Sequence, residues 1–265
     1  MAMNSHLHLT YFFSRGRREP MILLLADSGH PFTLEEFTLT SWNEMKNSGQ
    51  VTPDRFPSST LPTLRVSNIG GDSKGDLFLA ESIVIISFLE EFLAPQGKLI
   101  TRELPLEMRA RMEMTKELSL HTSGRIMLMS GKPDWLALPN RNYMYHDIVL
   151  PYLRNTEHAL AELSKAAKIV PEESDPLTAL SVTVAAAINL ITDLFPRLRS
   201  EVKKDGEFEH CWRVWDAAMR RPRIAAYWNE NQIQGKNWTH TRFASAEWIA
   251  KEAKKYDADG GNSNL

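Results

Sequence analysis

The chain has a single cysteine, Cys211, in 265 residues. A lone thiol closes no intramolecular disulfide, and without a Cys-x-x-Cys pair there is no zinc ribbon and no dithiol redox couple. A reducing, cytoplasmic setting is expected. Excess charge of either sign is missing too, since 31 Lys and Arg stand against 33 Asp and Glu. That balance leaves no positive field for a phosphate backbone, so nucleic acid is not an expected partner. No stretch approaches the roughly 18 uncharged apolar residues of a membrane span. Met1 to His6 shows neither the basic stretch nor the apolar core of an export signal. The eight histidines have no His-Glu-x-x-His or similar spacing, so no metal is expected. Repeats and low-complexity blocks are absent.

What is present divides in two. Leu7 to Phe13 reads as a strand. Arg18 to Ser28 places Met21, Leu24, Leu25 and Ser28 on one helical face, and Gly29-His30-Pro31 stops that helix. Pro31 to Leu39, Leu61 to Val66 and Leu77 to Leu79 read as three more strands, the last two joined by a polar turn. Ser82 to Phe92 follows as a helix, giving the order β-α-β, a loop, then β-β-α. Beyond Pro95-Gln96-Gly97 the strand signals almost vanish. Leu106 to His121, Tyr145 to Lys168, Leu177 to Leu194 and Glu209 to Met219 carry apolar residues at helical spacing, and Pro222 can open a further helix over Ile224 to Trp228. The expectation is an α/β domain over residues 1–93, a linker over 94–104, an all-helical domain over 105–240, and a C-terminal extension with a frayed tail over 241–265.

Two short patterns have plainer explanations than chemistry. Gly71-Asp72-Ser73-Lys74-Gly75 matches the Gly-x-Ser-x-Gly elbow of hydrolases, but that elbow needs a helix after it, and here a strand follows. These are hairpin-turn residues. Asn237-Trp238-Thr239 fits a glycosylation acceptor that a cytoplasmic chain would not use.

The informative stretch is Leu9-Thr10-Tyr11-Phe12-Phe13-Ser14-Arg15-Gly16-Arg17-Arg18-Glu19-Pro20. It resembles the N-terminus of the glutathione transferases, and among their Tyr-type classes the sigma class above all, where Tyr-Phe-x-x-Arg-Gly-Arg-x-Glu ends the first strand and opens the first helix. Ser41 to Lys46 looks like that family's Trp-x-x-x-Lys element, Leu61-Pro62 like its Leu-Pro with a cis proline, and Ala80-Glu81-Ser82 like the Gln/Glu-Ser pair that opens its third helix. The helical half resembles the family more loosely. Where the family commonly has a Ser/Thr-x-x-Asp capping box on its buried helix, this chain reads Thr178-Ala179-Leu180-Ser181.

The resemblance implies a thioredoxin-like N-terminal domain followed by an all-α domain, and glutathione as co-substrate or cofactor. A free thiol with a pKa of about 8.5 is mostly protonated at neutral pH, so a hydroxyl aimed at the sulfur favours the reactive thiolate. Tyr11 is the implied donor. Ser82, at a helix start, suits the γ-glutamyl carboxylate, with Glu81 on the ammonium. Leu61, held by Pro62, offers backbone groups to the cysteinyl part. Trp42, Lys46 and Arg17 are the candidates for the remaining contacts, Trp42 and Lys46 at the glycyl carboxylate. The plainer alternatives are Trp42 as a packing residue, Lys46 as a solvated charge and Arg17 as half of an ion pair. For the second substrate the candidates are Phe12, Ser14, His121 and Arg125.

The resemblance implies a homodimeric enzyme adding glutathione sulfur to an electrophilic small molecule. Glutathione-dependent cis-trans isomerisation of a conjugated alkene and a non-catalytic binding module are the alternatives.

Overall fold

The computed structural model describes residues 5–69, 75–94, 104–130, 138–172, 175–195, 198 and 206–233. The 71–74 turn, most of the 94–104 linker, the Asn237-Trp238-Thr239 pattern and the C-terminal extension lie outside them.

Four strands form one mixed sheet in the order β2-β1-β3-β4. Strand β1 (His6–Phe12) is central, and alternation along it turns Leu7, Leu9 and Tyr11 into the core. It pairs parallel with β2 (Phe32–Phe37) and antiparallel with β3 (Thr63–Ser67), which pairs antiparallel with β4 (Leu77–Ala80). A parallel neighbour demands a crossover. Helix α1 (Glu19–Ser28) supplies it, with Met21 to Leu25 all buried. Gly29 ends the helix in the left-handed region, φ 67°, and a Cβ there would lie 2.5 Å from Arg223 Nη1, which donates to the Asp27 carbonyl.

The sequence reading erred on the segment after β2. Instead of a strand reaching Leu39 and a loop, helix α2 (Leu39–Asn47) begins at once. Its start is built by Thr38 and Ser41, whose side chains cap each other's backbone N–H. Helix α3 (Ser82–Leu93) follows β4 and packs beside α1.

The helical half runs through α4 (Leu106–Ser130), α5 (Leu138–Tyr143), α6 (Leu150–Ala166), α7 (Ala179–Leu194), α8 (Glu209–Met219) and α9 (Pro222–Ile233). Helix α4 continues nine residues past His121, where its periodicity fades. Its buried side includes Thr115, Lys116, Ser119, Thr122 and Ser123, so it lacks the apolar stripe a sequence reading needs. A π-helical stretch, Met144–Val149, joins α5 to α6 just before Pro151, whose ring and missing N–H a regular turn would not accommodate.

Helix α7 is buried on every side. Val182, Ala185 and Ala186 complete the core under the sheet, while Val184, Ala187, Ile188 and Ile191 belong to the core of the helical half. Its N-terminus keeps a capping box with Ser181 in place of the aspartate. The missing carboxylate comes from elsewhere: Glu90 of α3 accepts the Ala179 N–H at 2.9 Å. Helix α8 is capped likewise by Glu157 of α6, which accepts the His210 and Cys211 N–H groups. Burial pushes the Glu90 carboxyl up, outweighing the Ala179 N–H and the Lys116 charge. At Glu157 burial acts in the same direction, but the Cys211 and His210 contacts win and hold it down. The pH consequences are opposite. Glu157 adds stability above its unfolded pKa that is lost as pH falls, whereas the contribution of Glu90 is complete at low pH and diminishes as pH rises through its folded pKa.

Candidate functional site

Strand β1 ends at Phe12, and the chain then turns sharply. Gly16 at φ 64° starts one 3₁₀ turn, Gly16–Arg18, in a conformation that a residue with a Cβ rarely adopts. This turn lies against the Tyr11 hydroxyl. The space is close: a Cβ on Gly16 would meet Tyr11 Oη and Met127 Cγ of α4, each at 3.6 Å. Tyr11 is 8% exposed. Burial raises its pKa above that of an ordinary phenol, although the Arg17 N–H and the Arg17 and Arg18 charges pull the other way. The hydroxyl therefore stays protonated at neutral pH. That proton is available to a ligand.

Ser82 opens the twelve-residue α3, where partial positive charge collects. Its residue is 5% exposed, and its Oγ is fully buried with no hydrogen-bond partner among the described residues. Glu81 before it is exposed and sits at φ 69°, unusual for a residue with a side chain. The Leu61–Pro62 peptide is cis, and Leu61 lies at the start of the β3 segment.

Trp42 is a packing residue to a greater degree than a polar-contact role requires. It is 3% exposed, and its ring meets Phe12, Phe37 and Phe56 at centroid distances of 6.3, 5.8 and 5.1 Å. Lys46 is exposed, with Nζ 5.6 Å from the Trp42 ring centroid. Phe12 joins this aromatic cluster, because alternation puts it on the opposite side of β1 from Tyr11.

Arg17 is exposed and lies against α4, where a Cβ on Gly124 would be 3.6 Å from its Nη2. Gly124 and Met127 of α4 thus meet the Tyr11 loop, and the sequence reading missed both. A glycine inside a long helix was the available signal. His121 is exposed on the same helix, Arg125 Nη2 donates to the Tyr143 hydroxyl at 3.3 Å, and Ser14 is half-buried in the loop.

Arg15 entered the sequence reading only as part of a motif. In the structure it is among the largest fully buried side chains, at 2% exposure. Its Nε and Nη2 donate to the two oxygens of Glu19 at 2.6 Å each, and Nη1 donates to Asp193 of α7. Glu19 also accepts from Asn189 Nδ2 at 3.0 Å. Trp215 Nε1 donates to Asn189 Oδ1 at 3.4 Å, and the Trp228 ring covers the guanidinium at 5.0 Å. Next to it Arg18 pairs with Glu36 at 2.6 Å. Among the described residues no group of His, Cys, Asp and Glu could hold a metal ion, and no helix is long and apolar enough to cross a membrane.

A four-stranded mixed sheet with helices on its faces, followed by a helical layer, is the fold of the glutathione transferases. Solved structures agree. The sigma class glutathione transferase of Fasciola hepatica matches with a TM-score of 0.62 at 17% identity, over 85% of this chain and 96% of that one. A Nu-class enzyme of the same kind from Haemonchus contortus matches with a TM-score of 0.55 at 20% identity, over 91% and 99%. Prostaglandin synthase D of Nilaparvata lugens gives 0.57 at 15% identity, over 85% and 98%. At these identities the likeness establishes the fold. No protein-family model and no curated protein matches the sequence.

Proposed function

We propose that this chain binds glutathione and adds its sulfur to an electrophilic carbon of a small organic molecule, with Tyr11 as the thiol activator. The observation that carries the reading is Ser82. A buried hydroxyl without a partner costs stability unless a ligand uses it, and this one stands at a helix N-terminus where a carboxylate is favoured.

In this reading Ser82 and the α3 N-terminus take the γ-glutamyl carboxylate, Glu81 the ammonium, the Leu61 backbone beside Pro62 the cysteinyl part, and Lys46 with Arg17 the glycyl end. Trp42 shapes that end by packing. The Tyr11 hydroxyl donates to the sulfur, the thiol proton leaves to water, and the thiolate forms the C–S bond as the electrophile's leaving group departs or its alkene takes up a proton. The second substrate lies along α4 near Gly124, Met127, His121 and Arg125, with Ser14 opposite. The glutathione-binding domain is residues 1–93 and the helical domain 105–240, in a cytoplasmic enzyme.

Ser82→Ala tests the reading. Calorimetric titration with glutathione should show affinity reduced by about ten- to a hundredfold, the value of one hydrogen bond to a charged group at about 1.5–3 kcal/mol. Ligand-free stability should be unchanged or higher, because the orphaned oxygen is gone. Unchanged affinity would remove the site. Mass spectrometry of products identifies the reaction: an adduct supports transfer, and an isomer of unchanged mass replaces transfer with isomerisation.

The same reading includes a homodimer. Leu106, Met114 and Leu128 on α4 and Val84 on α3 are large apolar side chains left exposed, as a surface covered by a second copy would have. Light scattering should give twice the chain's 30.2 kDa; a monomer mass would refute the dimer.

A further inference from the structure

We infer that Arg15 is a positioning residue for the Tyr11 site, and that its anchorage makes the helical half part of the device that sets the Gly16–Arg18 turn against the Tyr11 hydroxyl. The thiol-activating purpose rests on the function proposed above. The loop geometry does not.

Gly16, the residue after Arg15, is the one that lies against Tyr11: a Cβ on it would be 3.6 Å from Tyr11 Oη. Arg15 has φ −68° and ψ −114°, outside the ordinary backbone wells, and Gly16 is left-handed. No side chain caps the turn that they open. Local bonds therefore leave this conformation weakly determined, and something outside the loop must hold it.

The Arg15 side chain is what holds it. Its planar fork is engaged in three directions, by both oxygens of Glu19 on α1 and by Asp193 on α7, and its face is closed by Trp228 on α9. Asn189 ties Glu19 to Trp215 on α8. A guanidinium fixed on so many sides cannot rotate with the loop. The loop, and with it the Arg17 N–H, takes its setting from α1, α7, α8 and α9. The Arg17 and Arg18 charges act on Tyr11, the latter paired with Glu36, while the Arg15 charge is taken up by Glu19 and Asp193, so Arg15 acts through the backbone.

Arg15→Lys separates these effects, because it keeps the charge and removes the fork. The ionisation of Tyr11 is followed by ultraviolet difference titration of the ligand-free protein, with the Tyr11→Phe titration subtracted to isolate that ring. Loss of the Arg17 N–H should move the Tyr11 midpoint up by about half a unit, about a threefold change in ionised fraction below it. Glutathione-dependent turnover at neutral pH should fall by a similar factor, with KM for glutathione within about twofold of the parent. A midpoint that overlays the parent while thermal stability falls would reduce Arg15 to a structural ion pair and overturn the inference. A downward movement would do the same, since water reaching a loosened Tyr11 would cause it. If Arg15→Lys does not fold, Asp193→Asn, which leaves the Glu19 pair intact, is read by the same titration and the same criteria. A parent that neither binds nor uses glutathione would refute the proposed function and still leave the titration result standing.

Discussion

Tyr11→Phe is expected to lower the rate of glutathione transfer at neutral pH by about ten- to a hundredfold, the equivalent of about 1.5–3 kcal/mol for a hydrogen bond to a charged group. Glutathione affinity should stay within about twofold. The ring of residue 11 is buried at the end of β1 and meets Phe12 at a centroid distance of 5.7 Å, and phenylalanine preserves that packing. What disappears is one donor. Burial keeps the phenol from ionising and losing its proton near neutral pH. Without the donor the bound thiol ionises less readily. The sign follows: an activated thiol has a depressed pKa, so the variant's pH-rate curve rises at higher pH than the parent's and approaches it under alkaline conditions. Stopped-time rates across pH measure this. An overlay of the two profiles would pass the donor role to another group of the loop, with Ser14 the first to test.

The parts of the site written in one continuous stretch of chain were legible through the family resemblance that those stretches carry. Tyr11, the Arg15-Gly16-Arg17 turn, the Leu61–Pro62 step and the Ser82 helix start each depend on neighbouring residues, and the structure places all of them as strand end, turn, cis peptide and helix N-terminus. Helix α2 escaped because its nine residues carry only Trp42 as a buried side chain, leaving no periodic stripe; the Thr38 and Ser41 box was its only local mark. The α4 wall escaped for a related reason. Gly124 and Met127 lie on a stretch whose buried neighbours Thr122 and Ser123 are polar, so apolar spacing ends before the helix does. The contacts that join the two halves are the least visible in sequence. Glu90 finds Ala179 across 89 residues and Arg15 finds Asp193 across 178, and nothing local distinguishes these carboxylates from surface ones. Only the substitution of Ser181 for aspartate in the box hinted that a charge had to come from elsewhere.

Glu19→Ala should have the largest effect on stability of any change at this junction, a loss of about 3–5 kcal/mol by urea denaturation. The Arg15 guanidinium is buried, and Glu19 accepts two of its three carboxylate contacts. Removing that carboxylate leaves most of a charge without compensation in a site with little water, and it also strips Asn189 Nδ2 of its acceptor. Asp193 is 34% exposed and touches only Nη1, so it can offset part of the deficit and not the whole. Against a typical total of about 5–15 kcal/mol, a loss of this size leaves the fold marginal, so Glu19→Gln provides the milder comparison: it removes the charge and keeps one acceptor oxygen, at the cost of an NH2 set against a donor. A double change, Arg15→Met with Glu19→Leu, makes the argument exclusive. If the cost in Glu19→Ala comes from the stranded cation, removing both charges in favour of apolar groups of similar size restores most of the stability, while the loop loses the anchor that sets Arg17. If instead Glu19 matters mainly for packing α1 against α7, the double variant remains as unstable as Glu19→Ala. A loss below about 1 kcal/mol in Glu19→Ala would mean that Asp193 and water suffice for Arg15, and that the burial of this pair is incidental to the fold.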